Sequence, residues 1–530
     1  MQYFLEAIKI SGVYRIPYEG YWINDWISRR AELTPNWVAL IDFVEGDRRI
    51  TFKEFNERAK RVAGFLKYEI GIKKEDIVSI LSWPRIEVLD ILFACMKIGA
   101  IFAPINTRYA VREIVEYINE IKPRVLIYES EFVDRISQAK ETIEVQYYIH
   151  IGDKGVDGSI PYTQVINYDK PLEKPERVGL EDPVIIFQTG GTTGKPKSAV
   201  LTYRTILWNA VNTVRDLIVP GDVTITAVPL FHIGGYTYTI PLLFWGGTNI
   251  IMRRWNVEEF IRIVERERPT FLFLVPTQLK MLVESDKFWK ADFNSVRWIT
   301  SGGATLTPDL IKTIMKKGVI QKQGYGLTEM GPGVFALDPW DARKKIGSIG
   351  KPNLLVEVKV IKSDGTEAKP NEEGLLLLRG PSLFGGYWGK PEETKKAFVG
   401  EWLNTGDIVK FDDEGYFWVI GREKHVIKSG AESILPEEVE RILLDHPKIV
   451  DVVVIGVPDE KWGEVPKAII VLKKGEKITK EEIYEYLRDK LAKYKWPKYI
   501  QVVNEIPKTP LGKVSRKELM KLFGEPKDEL

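Results

Sequence analysis

A chain of 530 residues is too long for one ordinary hydrophobic core, which predicts at least two domains. Apolar residues at 44%, charged residues at 28% and a net charge of +2 with both signs mixed describe a globular chain; bulk charge recruits neither nucleic acid nor an anionic membrane. The single cysteine, Cys95, excludes an intrachain disulfide and a cysteine-built metal site.

The segment up to Tyr14 carries Glu6 and Lys9 and has no uncharged apolar stretch, so no signal peptide is expected and the chain reads as cytoplasmic. Residues 20–180 alternate helix and strand signals. Asp25 to Ala31 predicts a capped amphipathic helix, and Phe52 to Glu69, Ile86 to Ile98 and Val111 to Ile121 predict further helices. Between them, Ile77–Leu81, Gly99–Asn106 and Val125–Tyr128 predict strands, and Asp153 to Asp182 a loop. Such alternation predicts a mostly parallel sheet covered on both faces, and it recurs from 203 to about 335. Val223 to Met252 lacks Asp, Glu, Lys and Arg. Prolines and glycines divide it, which predicts strand, turn, buried helix and strand instead of a membrane span. Beyond Gly350, Val356–Ile361, Gly374–Arg379 and Gly415–Ile420 read as short strands of a β-rich region. Pro436–Leu444 and Lys480–Leu491 then read as helices, and Val452–Val457 and Ala468–Leu472 as strands. The fold class is α/β: a large N-terminal domain of α/β layers with a small β-rich subdomain, then a small C-terminal α+β domain. The boundary is placed at 423/424, giving 1–423 and 424–530.

Two apolar runs, Val184–Phe187 and Ala199–Leu201, flank Gln188-Thr189-Gly190-Gly191-Thr192-Thr193-Gly194-Lys195-Pro196-Lys197. Glycines let the backbone approach an anion, while threonine hydroxyls, free amides and two lysines can wrap it. A ligand-free hairpin loop has the same composition. The nucleotide loop G-x-x-x-x-G-K-[ST] is excluded, because Thr189 stands where its first glycine should be and Pro196 where its hydroxyl residue should be.

Two more glycine turns follow strands, Ser301-Gly302-Gly303-Ala304 and Gln323-Gly324-Tyr325-Gly326-Leu327-Thr328-Glu329. Strand ends are where α/β folds hold ligands. Tyr325 offers a flat ring, Thr328 a hydroxyl and Glu329 a hard oxygen for Mg²⁺; a packed aromatic and a solvated charge are the plainer readings. His232, in Pro229-Leu230-Phe231-His232-Ile233-Gly234-Gly235, is one of only four histidines, and a core role competes with a functional one. Trp402 to Asp407, Gly421 to Glu432 and Ile506 to Val514 complete the set.

Together these segments resemble the ordered signatures of the adenylate-forming superfamily, which includes acyl-CoA synthetases, luciferases and peptide-synthetase adenylation domains. The resemblance spans nearly the whole chain. It implies an AMP-forming acid–thiol ligase using ATP, Mg²⁺ and CoA, with a small carboxylic acid as substrate and a C-terminal domain that moves about Lys424. It implies phosphate contact by Thr189, Gly190, Gly191, Thr192, Thr193, Gly194, Lys195 and Lys197, and adenine contact by Gly302, Gly303, Ala304, Gly324, Tyr325 and Gly326. Asp407 is implied for the ribose, and Arg422, Lys428, Ser429 and Gly430 for the nucleotide and its surroundings. Glu329 and Thr189 are implied for the metal, Thr328 for phosphate, His232 for carboxylate placement and Lys513 for the charge developing on the α-phosphate. Departures from the family pattern fall at Gly190, Ser198, His425 and Ala431. Phe231, Ile233, Tyr236, Trp245 and the Ser301-Gly302-Gly303 turn suggest an apolar pocket and an aliphatic short- or medium-chain acid, with an aromatic or short hydroxy acid as the open alternatives. Transfer to a carrier protein or another nucleophile is the alternative to CoA. A homodimer is compatible with the sequence.

Overall fold

The computed structural model describes residues 20–43, 47–189, 197–304, 306–429, 432–488, 490–491, 493–508, 514 and 516–529. The central sheet has eight strands, in the order Gly386–Tyr387, Lys197–Thr202, Pro183–Thr189, Ile101–Pro104, Ile77–Leu81, Val125–Glu129, Tyr147–Ile151 and Ile160–Pro161. From Pro183–Thr189 to Ile160–Pro161 neighbouring strands run parallel. The first two strands add an antiparallel edge. Ile77–Leu81 is buried at every residue, as a parallel strand covered on both faces must be.

The helix Ile86–Ile98 is also buried along its whole length, because its apolar residues surround the axis. It ends at Gly99, whose φ of +77° is the left-handed cap that glycine adopts without strain. Phe52–Gly64 starts at a capping box in which Thr51 Oγ1 accepts the Glu54 N–H and Glu54 Oε2 accepts the Thr51 N–H. The predicted helix to Glu69 is α-helical only to Gly64 and continues as one π-helical stretch, Phe65–Glu69.

A second sheet, ordered Leu272–Leu274, Trp298–Ser301, Ile320–Gly326, Gly333–Ala336 and Lys351–Pro352, is parallel through its first three strands and antiparallel after them. Val223–Thr226, Thr248–Ile251, Val38–Asp42 and Arg48–Thr51 form a third. The stretch without charges folds as expected, with short helices Ile233–Tyr236 and Thr239–Trp245 between its strands. An antiparallel sheet then combines Glu357–Ile361, Glu373–Arg379, Trp402–Phe411, Phe398–Val399 and Phe417–Arg422. The last sheet holds Ile427–Ser429, Glu432–Ile434, Ile449–Asp459, Gly463–Leu472 and Tyr499–Val502, packed with helices Pro436–Leu444, Lys480–Leu487 and Arg516–Phe523. The architecture is thus a large α/β N-terminal part with a β-rich region, followed by a small α+β C-terminal part.

Three local expectations need correction. Asp25 stands at the N-cap of Trp26–Leu33 but its side chain does not cap. Its carboxylate instead pairs with the buried ammonium of Lys97, a stronger demand than a helix amide makes. The predicted loop 153–182 contains the strand Ile160–Pro161 and the helix Tyr162–Ile166, where Tyr162 is pulled in by a hydrogen bond to buried Asp90 (3.1 Å). The predicted helix from Lys480 stops at Leu487, not Leu491.

Candidate active site

The site is assembled at strand ends. Pro183–Thr189 and Lys197–Thr202 form an antiparallel hairpin, with Phe187 opposite Ala199 and Thr189 opposite Lys197. The Thr189 hydroxyl donates to the Lys197 carbonyl (3.3 Å), tying the base of the hairpin together. Gly190, Gly191, Thr192, Thr193, Gly194, Lys195, Gly430, Ala431 and Lys513 lie outside the described residues. Lys197 Nζ pairs with Glu393 Oε2 (2.6 Å) and sits over the Tyr387 ring, 4.8 Å from its centroid.

Trp298–Ser301 and Ile320–Gly326 run parallel with Ser301 beside Gln323, so the two glycine turns leave the sheet side by side. Their glycines are needed for close approach. A Cβ on Gly302 would lie 3.1 Å from the Gly324 carbonyl oxygen, and one on Gly326 only 1.7 Å from the Pro332 carbonyl oxygen. Gly303 has a φ of +82°. Between the turns the backbone can therefore come against a flat ligand.

Tyr325 packs edge-on against Phe335 and its hydroxyl donates to Asp407 Oδ2 (2.6 Å). The other carboxylate oxygen, Oδ1, accepts from Arg422 Nε (2.6 Å). Asp407 and Arg422 are opposite each other on paired antiparallel strands, and the Asp407 N–H is held by Thr405 Oγ1 (3.0 Å). Burial and the Asp407 charge push the Tyr325 phenol well above its ordinary ionisation range, so it remains a donor. Three residues separated widely in sequence thus form one cluster around a carboxylate that is 3% exposed. An ionised carboxylate has about four acceptor positions, the chemistry that recognition of vicinal hydroxyls calls for.

Glu329 lies in the single turn Thr328–Met330, with Thr328 buried beside it. Its Oε1 accepts from the Tyr387 hydroxyl (2.8 Å). No cluster of three or more His, Cys, Asp or Glu residues able to hold a metal occurs among the described residues. A lone carboxylate with nearby hydroxyls suits Mg²⁺, which keeps waters and takes substrate phosphates as its other ligands. The chemistry of Glu329 and of the Thr328 hydroxyl next to it in the chain fits that ion; the Thr189 hydroxyl, the other expected ligand, is engaged by the Lys197 carbonyl.

His232 precedes the short helix Ile233–Tyr236. Its Nδ1 accepts the Gly234 N–H (3.0 Å), which assigns the proton of the neutral ring to Nε2. A small cavity of about 10 Å³, little more than room for one water, lies beside this turn, between Val228, Gly234, Gly235, Tyr238 and Phe273. Phe273 also touches the Gly302 position, which links the cavity to the glycine turns. A second cavity of about 10 Å³ lies between Ile185, Phe187, Leu201, Tyr236 and Pro332.

Near the expected hinge, Lys424 is exposed in the turn Glu423–His425. Its neighbour His425 bonds through Nδ1 to Glu437 Oε1 (2.7 Å), and Arg516 reaches both Glu437 (3.1 Å) and Glu440 (2.8 Å). Burial lowers the His425 pKa. Ser429 and the backbone of Lys428 lie on the strand Ile427–Ser429.

Sequence reasoning did not single out Tyr387 and Glu393. The signal available was the glycine pair followed by aromatics, Gly385-Gly386-Tyr387-Trp388, which marks a tight approach of backbone.

Glycine turns at adjacent strand ends, beside a buried carboxylate, place the chain among α/β ligand-binding proteins, and comparison with known proteins gives the family. Residues 27–388 match the model for the AMP-binding enzyme family and 438–513 that for the AMP-binding enzyme C-terminal domain. The chain is 34% identical to an indoleacetate–CoA ligase of Aromatoleum aromaticum over 94% of its own length and 98% of the relative's. It is also 34% identical to a feruloyl-CoA synthase of an Amycolatopsis species, over 95% and 99% of the two chains. The o-succinylbenzoate CoA synthetase of Bacillus subtilis bound to its acyl-adenylate superposes with a TM-score of 0.83 at 29% identity, covering 97% of this chain and 100% of that one. A structure of the same enzyme holds ATP and a magnesium ion. The chain belongs to the AMP-binding enzyme family. It is an ATP-dependent, AMP-forming acid–thiol ligase that works through an acyl-adenylate.

Proposed function

We propose that this ligase joins an aromatic or aryl-substituted carboxylic acid to CoA. The observation that supports the reading is the Tyr325–Asp407–Arg422 cluster, which suits an adenosine-recognition centre and whose Tyr325 lies four residues along the chain from the Glu329 carboxylate. The Tyr325 face stacks on the base and Asp407 accepts the ribose hydroxyls. His232, with its proton on Nε2, orients the acid's carboxylate. That carboxylate is already ionised at neutral pH, so its oxygen attacks the α-phosphorus without a base, and pyrophosphate leaves. Magnesium, when bound at Glu329, neutralises phosphate charge. Lys513 supplies a second cation to the charge growing on the α-phosphate. With residues 1–423 and 424–530 as the two units, rotation about Lys424 withdraws Lys513 and admits the thiol, which attacks the acyl carbon and expels AMP. The cytoplasm supplies ATP and CoA, and no helix among the described residues is long and apolar enough to cross a membrane.

An aromatic acid is favoured by the relatives, whose names carry indoleacetate and ferulate. The short- or medium-chain aliphatic acid remains a second reading, favoured by the apolar lining of the space at Ile185, Phe187 and Leu201. Pyrophosphate release and acyl-CoA formation are measured over indoleacetate, ferulate, 2-succinylbenzoate and the even fatty acids, each with and without CoA. Turnover that requires CoA and prefers aryl acids is expected. A CoA-independent burst points to another acceptor, and absence of release with every acid overturns the reading.

A further inference from the structure

Tyr387 lies outside every motif that the sequence singles out, yet it touches two of the residues those motifs supply. Its hydroxyl donates to Glu329 Oε1 (2.8 Å), and its ring carries the Lys197 ammonium at 4.8 Å. We propose that Tyr387 is a positioning residue that holds the magnesium-facing carboxylate of Glu329 and the phosphate-facing ammonium of Lys197 in register before nucleotide binds.

The backbone around it is built to hold that position. The Gly385 N–H donates to the Val200 carbonyl (2.8 Å) and the Trp388 N–H to the Ser198 carbonyl (2.8 Å), which stitches the segment to the hairpin strand. The Tyr387 N–H donates to Thr394 Oγ1 (2.8 Å), and the Phe384 N–H donates to the carbonyl of Glu329 itself (2.9 Å). One five-residue segment therefore grips Glu329 by main chain and side chain. Gly386, at a φ of +113°, makes the reversal possible; a Cβ there would approach Thr394 Cγ2 to 3.0 Å. The Phe384 ring closes edge-on against Tyr387 at 5.0 Å. With backbone and ring both fixed, the phenol has little freedom beyond the rotation of its O–H.

The chemistry follows from the two contacts. A phenol bonded to Oε1 orients the carboxylate and leaves Oε2 to a cation. Groups that orient a metal ligand in this way change metal affinity when removed. On the ring face, a cation is held by the quadrupole without being neutralised. Lys197 is 16% exposed and its carboxylate partner Glu393 36% exposed. Glu393 can thus exchange for a phosphate by moving into water, while the ring keeps the ammonium in place. The hydroxyl serves the metal and the ring serves the phosphate.

The proposal rests on Glu329 as the metal carboxylate, so the test separates the two. Binding of Mn²⁺ to the protein–ATP complex is titrated by electron paramagnetic resonance, and binding of metal-free ATP by calorimetry. The proteins are the wild type, Tyr387→Phe, Tyr387→Leu, Glu329→Gln and the Tyr387→Phe/Glu329→Gln pair. Tyr387→Phe should weaken Mn²⁺ roughly 10- to 100-fold, leave metal-free ATP binding unchanged, and add nothing in the Glu329→Gln background. Tyr387→Leu should weaken metal-free ATP as well, because Lys197 loses its platform. If Glu329→Gln shifts the Mn²⁺ curve while Tyr387→Phe overlies the wild type, the positioning role is overturned. If Glu329→Gln does not shift it, the assignment of Glu329 falls and this proposal with it.

Discussion

Replacing Asp407 by Asn keeps the shape of the side chain and removes its charge. In the native site Oδ1 accepts from Arg422 Nε and Oδ2 from the Tyr325 hydroxyl, both at 2.6 Å. An amide has one accepting oxygen, so its NH₂ must face one of these donors. The Arg422 side chain, 42% exposed, can turn to water, and the Tyr325 hydroxyl then keeps the amide oxygen. The fold should therefore lose only about 1–2 kcal/mol, the scale of a hydrogen bond to a charged group partly replaced by solvent. The nucleotide fares worse, because the ribose hydroxyls meet a neutral amide whose oxygen is already used. Losing one charge-assisted acceptor costs roughly 1.5–3 kcal/mol, or about 10- to 150-fold in the Kd for ATP. Calorimetry with ATP and with 2′,3′-dideoxy-ATP isolates the effect, since the second ligand has no hydroxyls to lose. The variant should bind dideoxy-ATP as the wild type does and ATP much more weakly. Equal weakening of both nucleotides would refute ribose recognition by Asp407 and leave it a role in the local fold alone.

Gly326→Ala should abolish adenylation and lower Tm, since its Cβ would lie 1.7 Å from the Pro332 carbonyl oxygen and only a main-chain shift relieves it; an active variant with wild-type Tm would contradict the close approach. Lys97 is 2% exposed and is held by Asp25 and by Ser28 Oγ (2.9 Å), so Asp25→Asn strands a buried ammonium. Urea denaturation should show a loss of about 3–5 kcal/mol, and a loss below about 1 kcal/mol would mean the charge is satisfied otherwise. Burial pushes the Glu440 carboxyl up to about 7 in spite of Arg516 and the Val454 N–H. The folded carboxyl thus takes its proton more readily than the unfolded one, at 4.5. Its contribution to stability is full below about pH 4.5 and declines as pH rises through about 7. Glu440→Gln should flatten that decline in calorimetric Tm, and parallel wild-type and variant curves would remove Glu440 as its source. Cys95 is fully buried with its thiol pushed far up, so Ellman's reagent should leave the native protein unmodified and react once on unfolding.

Much of this protein is determined locally and could be read from the chain. The apolar runs Ile77–Leu81 and Val125–Tyr128 and the helix Pro436–Leu444 occur where the periodicity puts them, because each is decided by burial of its own side chains. The glycine turns at Gly302 and Gly324 were visible for the same reason: a backbone that must approach closely carries no side chain. Asp407 was legible only through its family motif. It follows a glycine, as turn residues do, yet it stands inside the ten-residue strand Trp402–Phe411, which pairing with neighbouring strands creates. Partners were not legible at all. That Tyr325 bonds Asp407, that Asp25 serves Lys97 instead of a helix end, and that Tyr387 joins Glu329 to Lys197 all depend on contacts between segments far apart in sequence. Such contacts follow from which strands lie side by side. Strand order is set by the burial of the whole domain, so local pattern named the chemical groups and tertiary packing alone decided which of them meet.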